Sequence, residues 1–141
     1  MYILSILYNV HMADKEKFEM EFVIHASPTL LYQYISTPSG LSEWFSDNVN
    51  SRGELFTFIW DGSEEQAKLL SKKNGERIKF RWLEDDEDGA TYYFEIRIQV
   101  DEITKDVSLM ITDFAEEDEI EEGKMLWANQ ISSLKQVLGS A

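Results

Sequence analysis

The sequence predicts an α+β fold in which a curved antiparallel sheet of about six to seven strands wraps around a long C-terminal helix. Three observations predict it. One strand-like segment is followed by two short helices, and strand-like segments with short connections come next, which is typical of an antiparallel meander. The chain closes with a long helix that carries one apolar stripe. The inner face of the sheet is the large apolar surface that can bury this stripe.

The first strand is predicted at residues 17–25, and two short helices follow it. Apolar side chains alternate with polar ones along this segment, which predicts a half-buried strand. Ser27 and Pro28 are typical of a helix N-cap and a first helical residue. A second short helix is expected at residues 39–45.

The middle of the chain is predicted to consist of strands. Asn74-Gly75 lies between two alternating segments and is a strong hairpin signal. The acidic run at residues 84–88 precedes Gly89 and is interpreted as a solvated hairpin tip. The strand-like segments are residues 54–60, 66–71, 76–83, 92–100 and 106–114.

The closing helix is predicted at residues 118–138. Trp127, Ile131, Leu134 and Leu138 follow one another at spacings of four, three and four residues, which places them on one helical face. The acidic residues at its start favour the positive end of the helix dipole. The sequence therefore predicts a helix whose apolar face is buried.

Composition excludes several classes of function. The chain has 27 acidic and 13 basic residues, a formal net charge of −14 and no cysteine. Such a chain repels phosphate backbones and anionic lipid surfaces, so we expect neither a nucleic-acid partner nor a membrane partner. Disulfides, zinc–thiolate sites and cysteine nucleophiles are excluded. No nucleotide-binding, hydrolase or paired-histidine motif is present, so we expect no cofactor and no metal.

The two ends of the chain suggest one domain with a short leader. Met12 begins the segment MADKEKFEMEF, which is typical of a protein N-terminus. Residues 1–11 are therefore interpreted as an N-terminal extension and residues 12–141 as the domain. An extra edge strand at residues 1–11 is the alternative. The apolar stretch near the start is much shorter than the roughly 20 residues of a membrane span. We expect a cytoplasmic protein.

Several segments resemble the N-terminal signature of the START-like, or SRPBCC, superfamily. They are Ile24-His25-Ala26-Ser27-Pro28, Tyr34-Ile35-Ser36-Thr37-Pro38 and Gly40-Leu41-Ser42-Glu43-Trp44-Phe45. The helix from Trp127 to Leu138 is similar to the closing helix of the group that resembles the activator of a chaperone ATPase. The resemblance implies a helix-grip fold with a cavity between sheet and helix. It also implies a role in binding lipids or other small molecules, in cyclase chemistry or in binding a chaperone.

The candidate ligand-binding residues are those that strand and helix periodicity turn toward the space between sheet and helix. The same residues could fill that space as a solid core, and both interpretations stay open. Asp113 falls on the apolar face, where burial would raise its pKa, although a position at a strand end favours an exposed or capping side chain. The candidates are Phe58, Trp60, Phe80, Trp82, Tyr92, Phe94, Ile111, Asp113, Trp127 and Ile131.

The leading hypothesis is a non-enzymatic module that binds a small hydrophobic or lipid-like ligand. A protein-interaction domain, in which the acidic start of the last helix meets a basic partner, is the first alternative. A polyketide-cyclase-like enzyme is the second, and it would need a titratable side chain beside an open pocket. No catalytic residue is assigned, and the oligomeric state is left open.

Overall fold

The structure is a computed structural model that describes residues 14–139. Seven strands form one sheet in the order β1-β7-β6-β5-β4-β3-β2, and all neighbours are antiparallel. The strands are β1 Glu16–Val23, β2 Asn48–Arg52, β3 Leu55–Trp60, β4 Ser63–Lys73, β5 Arg77–Trp82, β6 Phe94–Val100 and β7 Val107–Ala115. The helices are α1 Pro28–Ser36, α2 Pro38–Leu41, α3 Leu83–Glu87 and α4 Ile120–Leu138. The predicted fold class is confirmed.

The inner face of the sheet and the apolar stripe of α4 share one core. Ile78, Ile96 and Ile111 lie side by side on adjacent strands, and all three are fully buried. From α4, Trp127, Ile131 and Leu134 are buried against this face. The ring of Trp127 lies 6.0 Å from that of Phe94, centroid to centroid. The long helix therefore packs inside the curve of the sheet.

The junction of α1 and α2 depends on one threonine and one glycine. Thr37 donates its hydroxyl to the Gln33 carbonyl over 2.8 Å and accepts from the Gly40 amide over 2.9 Å, so it both ends α1 and caps α2. A Cβ at Gly40 would lie 2.2 Å from the Gln33 carbonyl oxygen. Only glycine allows the two helices to approach this closely.

Two elements of the structure, β2 and the second short helix, differ from the prediction. β2 was not predicted because Val49 is its only buried side chain and the segment lacks an alternating apolar pattern. The second helix ends at Leu41, not at residue 45, and Trp44 and Phe45 are buried in the loop beyond it.

The acidic run at residues 84–88 connects the antiparallel strands β5 and β6, as predicted, and Glu84, Glu87 and Asp88 are exposed, but the connection is helical. Most of it forms the short helix α3, between β5 and β6. Asp85 lies 3.6 Å from the ammonium of Lys15, and Asp86 lies 3.6 Å from the guanidinium of Arg81. Lys15, before β1, and Arg81, at the end of β5, therefore connect α3 to the sheet, and the contact with Lys15 cannot be derived from the local sequence.

The predicted extension at residues 1–11 lies outside the described residues. Between residues 14 and 139, no helix combines the length and the apolar character needed to cross a membrane.

Candidate functional site

A pocket of about 440 Å³ lies between the N-terminal half of α4 and one end of the strands. At this end of the sheet β3, β5 and β7 terminate, and β4 and β6 begin. Most of the lining is apolar and aromatic. The lining residues are Phe45, Trp60, Glu65, Trp82, Asp113, Gly123, Leu126, Trp127, Asn129 and Gln130.

The alternation of β3 and β5 turns Trp60 and Trp82 into the pocket. Each is the last residue of its strand, and each continues an inward-facing series whose earlier members are fully or almost fully buried. The two indole rings lie 6.2 Å apart, centroid to centroid. Phe58 and Phe80, the preceding inward-facing residues, are fully buried, so Trp60 and Trp82 form the outermost aromatic layer of the core.

The carbonyl oxygen of Phe45 fixes two walls of the pocket at once. It accepts a hydrogen bond from Trp60 Nε1 over 3.0 Å and another from Gln130 Nε2 over 2.8 Å. The centroid of the Phe45 ring lies 5.6 Å from that of Trp60 and 5.7 Å from that of Trp127. The loop after α2 therefore joins the end of β3 to the middle of α4.

Asp113 places a carboxylate in this mostly apolar pocket. Its Oδ2 accepts from Trp127 Nε1 over 2.8 Å, and its Oδ1 accepts from the Phe114 amide over 2.7 Å. Burial raises the pKa of Asp113 above its ordinary value, and the hydrogen bonds from Trp127 and Phe114 oppose that shift without cancelling it. The expectation of an exposed or capping Asp113 is wrong: its side chain is partly buried, because β7 continues to Ala115 and Trp127 of α4 contacts the carboxylate.

The structure brings four of the ten candidate residues together at the pocket. They are Trp60, Trp82, Asp113 and Trp127. Five others are almost fully buried in the core beneath it: Phe58, Phe80, Phe94, Ile111 and Ile131. The solid-core and the cavity interpretations therefore each apply to one part of the aromatic interior. The centre is filled, and the open space lies where the strands end.

Tyr92 lies away from the pocket. It precedes β6, its ring packs 5.2 Å from that of Phe114, and its hydroxyl accepts from the Lys15 amide over 3.1 Å. The Lys15 ammonium also lies 5.2 Å from the Tyr92 ring centroid. Tyr92 therefore joins the start of β1 to the sheet.

Six lining residues were absent from the sequence-based set. Four of them lie on α4: Gly123, Leu126, Asn129 and Gln130. Gly123 and Gln130 lie four residues before and three residues after Trp127, so helical spacing places them on the same face as Trp127. Glu65 shares a face with buried Ala67 on β4 and could have been found by alternation. Phe45 lies in a loop, and no periodic pattern indicates its direction.

One group of carboxylates has the spacing of a metal site. Glu116, Asp118 and Glu119 each offer an oxygen, and these oxygens lie within 4.8 Å of one another. Asp118 and Glu119 are exposed, and the group immediately precedes α4, where acidic side chains favour the positive end of the helix dipole. This position explains the cluster without an ion.

Comparison with known proteins places this geometry in context. A model of the START-like superfamily domain matches residues 12–140. The solution structure of a protein from Bacteroides fragilis is 37% identical, with a TM-score of 0.62, over 87% of this chain and 90% of that chain. No curated protein matches the sequence.

Two more distant solved structures share the fold. The Aha1 dimer from Colwellia psychrerythraea is 19% identical, with a TM-score of 0.73, over 87% of this chain and 96% of that chain. DynU16, from the dynemicin biosynthetic locus, is 13% identical, with a TM-score of 0.71, over 87% of this chain and 47% of that chain. At these identities the likeness shows the fold alone, so the protein-interaction alternative stays a prediction.

Proposed function

This chain belongs to the START-like superfamily, and from that premise we propose that it is a non-enzymatic module that binds a small hydrophobic ligand in the pocket between the sheet and α4. The observation that carries the proposal is the open pocket of about 440 Å³ above a sealed core. Pockets for small molecules commonly span about 300–1,000 Å³ and are mostly apolar, with a few polar groups. This pocket has that size and that lining.

The aromatic walls supply the binding energy of the proposed complex. Trp60 and Trp82 are partly buried, so their outer surfaces remain in contact with solvent. A ligand that covers such surface gains roughly 25 cal/mol for each Å² of apolar area removed from water. Flat apolar groups also stack on indole rings with favourable geometry. The ligand that fits these walls therefore has a flat or flexible apolar body.

Polar groups at the sides of the pocket orient the ligand. Asp113 lies at the sheet wall with both carboxyl oxygens in hydrogen bonds, and each oxygen retains a further lone pair. Asn129 and Gln130 lie on the α4 wall. A ligand with one hydrogen-bond donor could reach Asp113 while its apolar body lies against the tryptophans.

A pair of neighbouring residues on α4 provides a matched test. Leu126 lines the pocket and is 55% exposed, whereas Met125 is 58% exposed and is not part of the lining. Leu126→Arg should fill the mouth of the pocket, and Met125→Arg makes the same charge change beside it. Because both side chains are exposed, both variants should fold as the wild type does.

Native mass spectrometry of freshly purified protein, followed by thermal shift across a panel of lipids and aromatic compounds, makes the measurement. We expect a bound molecule or a rise in Tm for the wild type and Met125→Arg, and neither for Leu126→Arg. If no compound binds the wild type, or if Leu126→Arg binds as well as Met125→Arg, the proposed function is wrong.

Asp113 favours a second candidate, an enzyme that uses acid–base chemistry. A pocket carboxyl with a raised pKa can hold a proton closer to neutral pH than an ordinary aspartate. The test is to incubate a compound that binds with the wild type and with Asp113→Asn, and to measure its mass. Conversion by the wild type alone supports an enzyme, and no conversion by either protein supports the binding module.

A further inference from the structure

The apolar pocket lies next to a larger acidic cleft. The cleft has a volume of about 790 Å³, and Glu65 and Trp82 line both spaces. It lies between the start of β4, α3 and the end of β7. A ligand whose apolar body occupies the pocket would therefore place a polar end beside Glu65 and Trp82, the two residues that border the cleft.

Among residues 14–139, the lining of the cleft carries seven carboxylates and one ammonium. The ammonium is that of Lys15, and the Asp85 carboxylate already lies 3.6 Å from it. A cleft lined by one sign of charge focuses the potential and raises the local concentration of the opposite charge. The carboxylates belong to Glu64, Glu65, Glu84, Asp85, Asp88, Glu116 and Glu119.

The junction of the two spaces suits a cation for a second reason. Trp82 lies at the junction, and Trp60 lies beside it with a ring-to-ring distance of 6.2 Å. Indole faces attract ammonium groups through the ring quadrupole. Glu65, which also lines both spaces, is an exposed carboxylate on the same side of the sheet as buried Ala67. An ammonium at this position would meet an anion and an aromatic face together.

An anionic ligand would meet the opposite conditions. A fatty-acid carboxylate or a phosphate at the junction would lie beside Glu65, and the Lys15 ammonium in the cleft is already paired with Asp85. Like charges held this close disfavour binding. The charge around the pocket thus distinguishes between ligands with the same apolar body.

We propose that the ligand is an amphipathic cation, with its apolar body against Trp60, Trp82 and Trp127 and a protonated amine or quaternary ammonium at the junction beside Glu65. This inference rests on the proposed function and deepens it by naming the class of ligand. It follows from the position of an apolar aromatic pocket beside a predominantly acidic cleft, with Glu65 and Trp82 lining both.

Three probes with the same naphthyl body test the charge preference: 2-naphthylmethylammonium, 2-naphthylmethanol and 2-naphthoate. Titration calorimetry gives the affinities, and the indole N–H signals in nitrogen–proton correlation spectra show whether the tryptophans of the pocket respond. We expect the ammonium to bind about tenfold more tightly than the alcohol, and the carboxylate most weakly. High salt should reduce the advantage of the ammonium because it screens the cleft charges.

Glu65→Gln should reduce the ratio of ammonium to alcohol affinity about threefold. Glu43→Gln is the matched control, since Glu43 is exposed and lines neither space, and it should leave the ratio unchanged. If the alcohol or the carboxylate binds as tightly as the ammonium, the cationic class is wrong while the binding pocket stands. If none of the three probes binds while a neutral or anionic compound of the lipid and aromatic panel does, this inference is wrong and the proposed function stands.

Discussion

The hydrogen bond between Trp127 and Asp113 joins α4 to β7 inside the pocket, and its contribution to stability can be measured. Trp127 Nε1 donates to Asp113 Oδ2 over 2.8 Å. Trp127→Phe removes the donor and keeps an aromatic ring. We expect this variant to be less stable because the carboxylate loses a partner and because the smaller ring fills less of the space beside Phe45 and Phe94.

Hydrogen bonds to charged groups contribute about 1.5–3 kcal/mol to stability. Asp113 is only partly buried, so we take the lower end, about 1.5 kcal/mol. The smaller ring should add about 1 kcal/mol of lost packing. For a domain of this size about 1 kcal/mol corresponds to about 4 °C in Tm, so Trp127→Phe should melt about 10 °C lower.

A double-mutant cycle separates the bond from the packing. Urea unfolding at neutral pH is measured for the wild type, Trp127→Phe, Asp113→Ala and the double variant. We expect a coupling free energy of about 1.5 kcal/mol between the two positions. If Trp127→Phe costs as much in the Asp113→Ala background as in the wild type, the coupling is zero and the bond does not stabilise the fold.

Three further predictions concern pH, close packing and the core, and urea unfolding measures all of them. Burial raises the pKa of Asp113, so its stabilising contribution is complete below the ordinary pKa of 3.8 and is lost as pH rises through the folded-state pKa. Asp113→Asn should therefore flatten the dependence of the unfolding free energy on pH between these two pKa values. Gly40→Ala should cost at least about 3 kcal/mol because its Cβ would meet backbone at 2.2 Å, whereas Gly123→Ala, whose Cβ would lie 3.2 Å from an aromatic ring, should stay within about 1 kcal/mol. Phe58→Ala should cost about 3–5 kcal/mol, and Ile103→Ala, at a residue 91% exposed, should cost less than about 0.5 kcal/mol. Equal losses within either pair of variants would contradict the packing described.

Periodic patterns predicted the parts of the site that lie on regular elements. Trp60 and Trp82 follow from strand alternation, and Trp127 follows from helical spacing. Asp113 lies on the predicted inner face, but its burial differs from the expectation, because the end of β7 cannot be placed from the sequence. Alternation shows which way a side chain points and does not show whether the space before it is filled.

The parts that could not be predicted depend on contacts between distant segments. Phe45 lies in a loop and becomes a wall of the pocket through bonds to Trp60 and Gln130, 15 and 85 residues away along the chain. Asp85 of α3 pairs with Lys15, which lies before β1. This partner cannot be identified from the sequence around the acidic run.

The shared acceptor at Phe45 has a consequence for how the pocket changes width. Because one carbonyl oxygen accepts from both Trp60 and Gln130, its lone pairs are both occupied and it has little capacity left to recognise a ligand. A bulky guest that pushes β3 and α4 apart must break one of these bonds while the other holds. The aperture should therefore have discrete widths, set by which donor the oxygen keeps, and molecules of intermediate thickness should gain nothing from a small expansion.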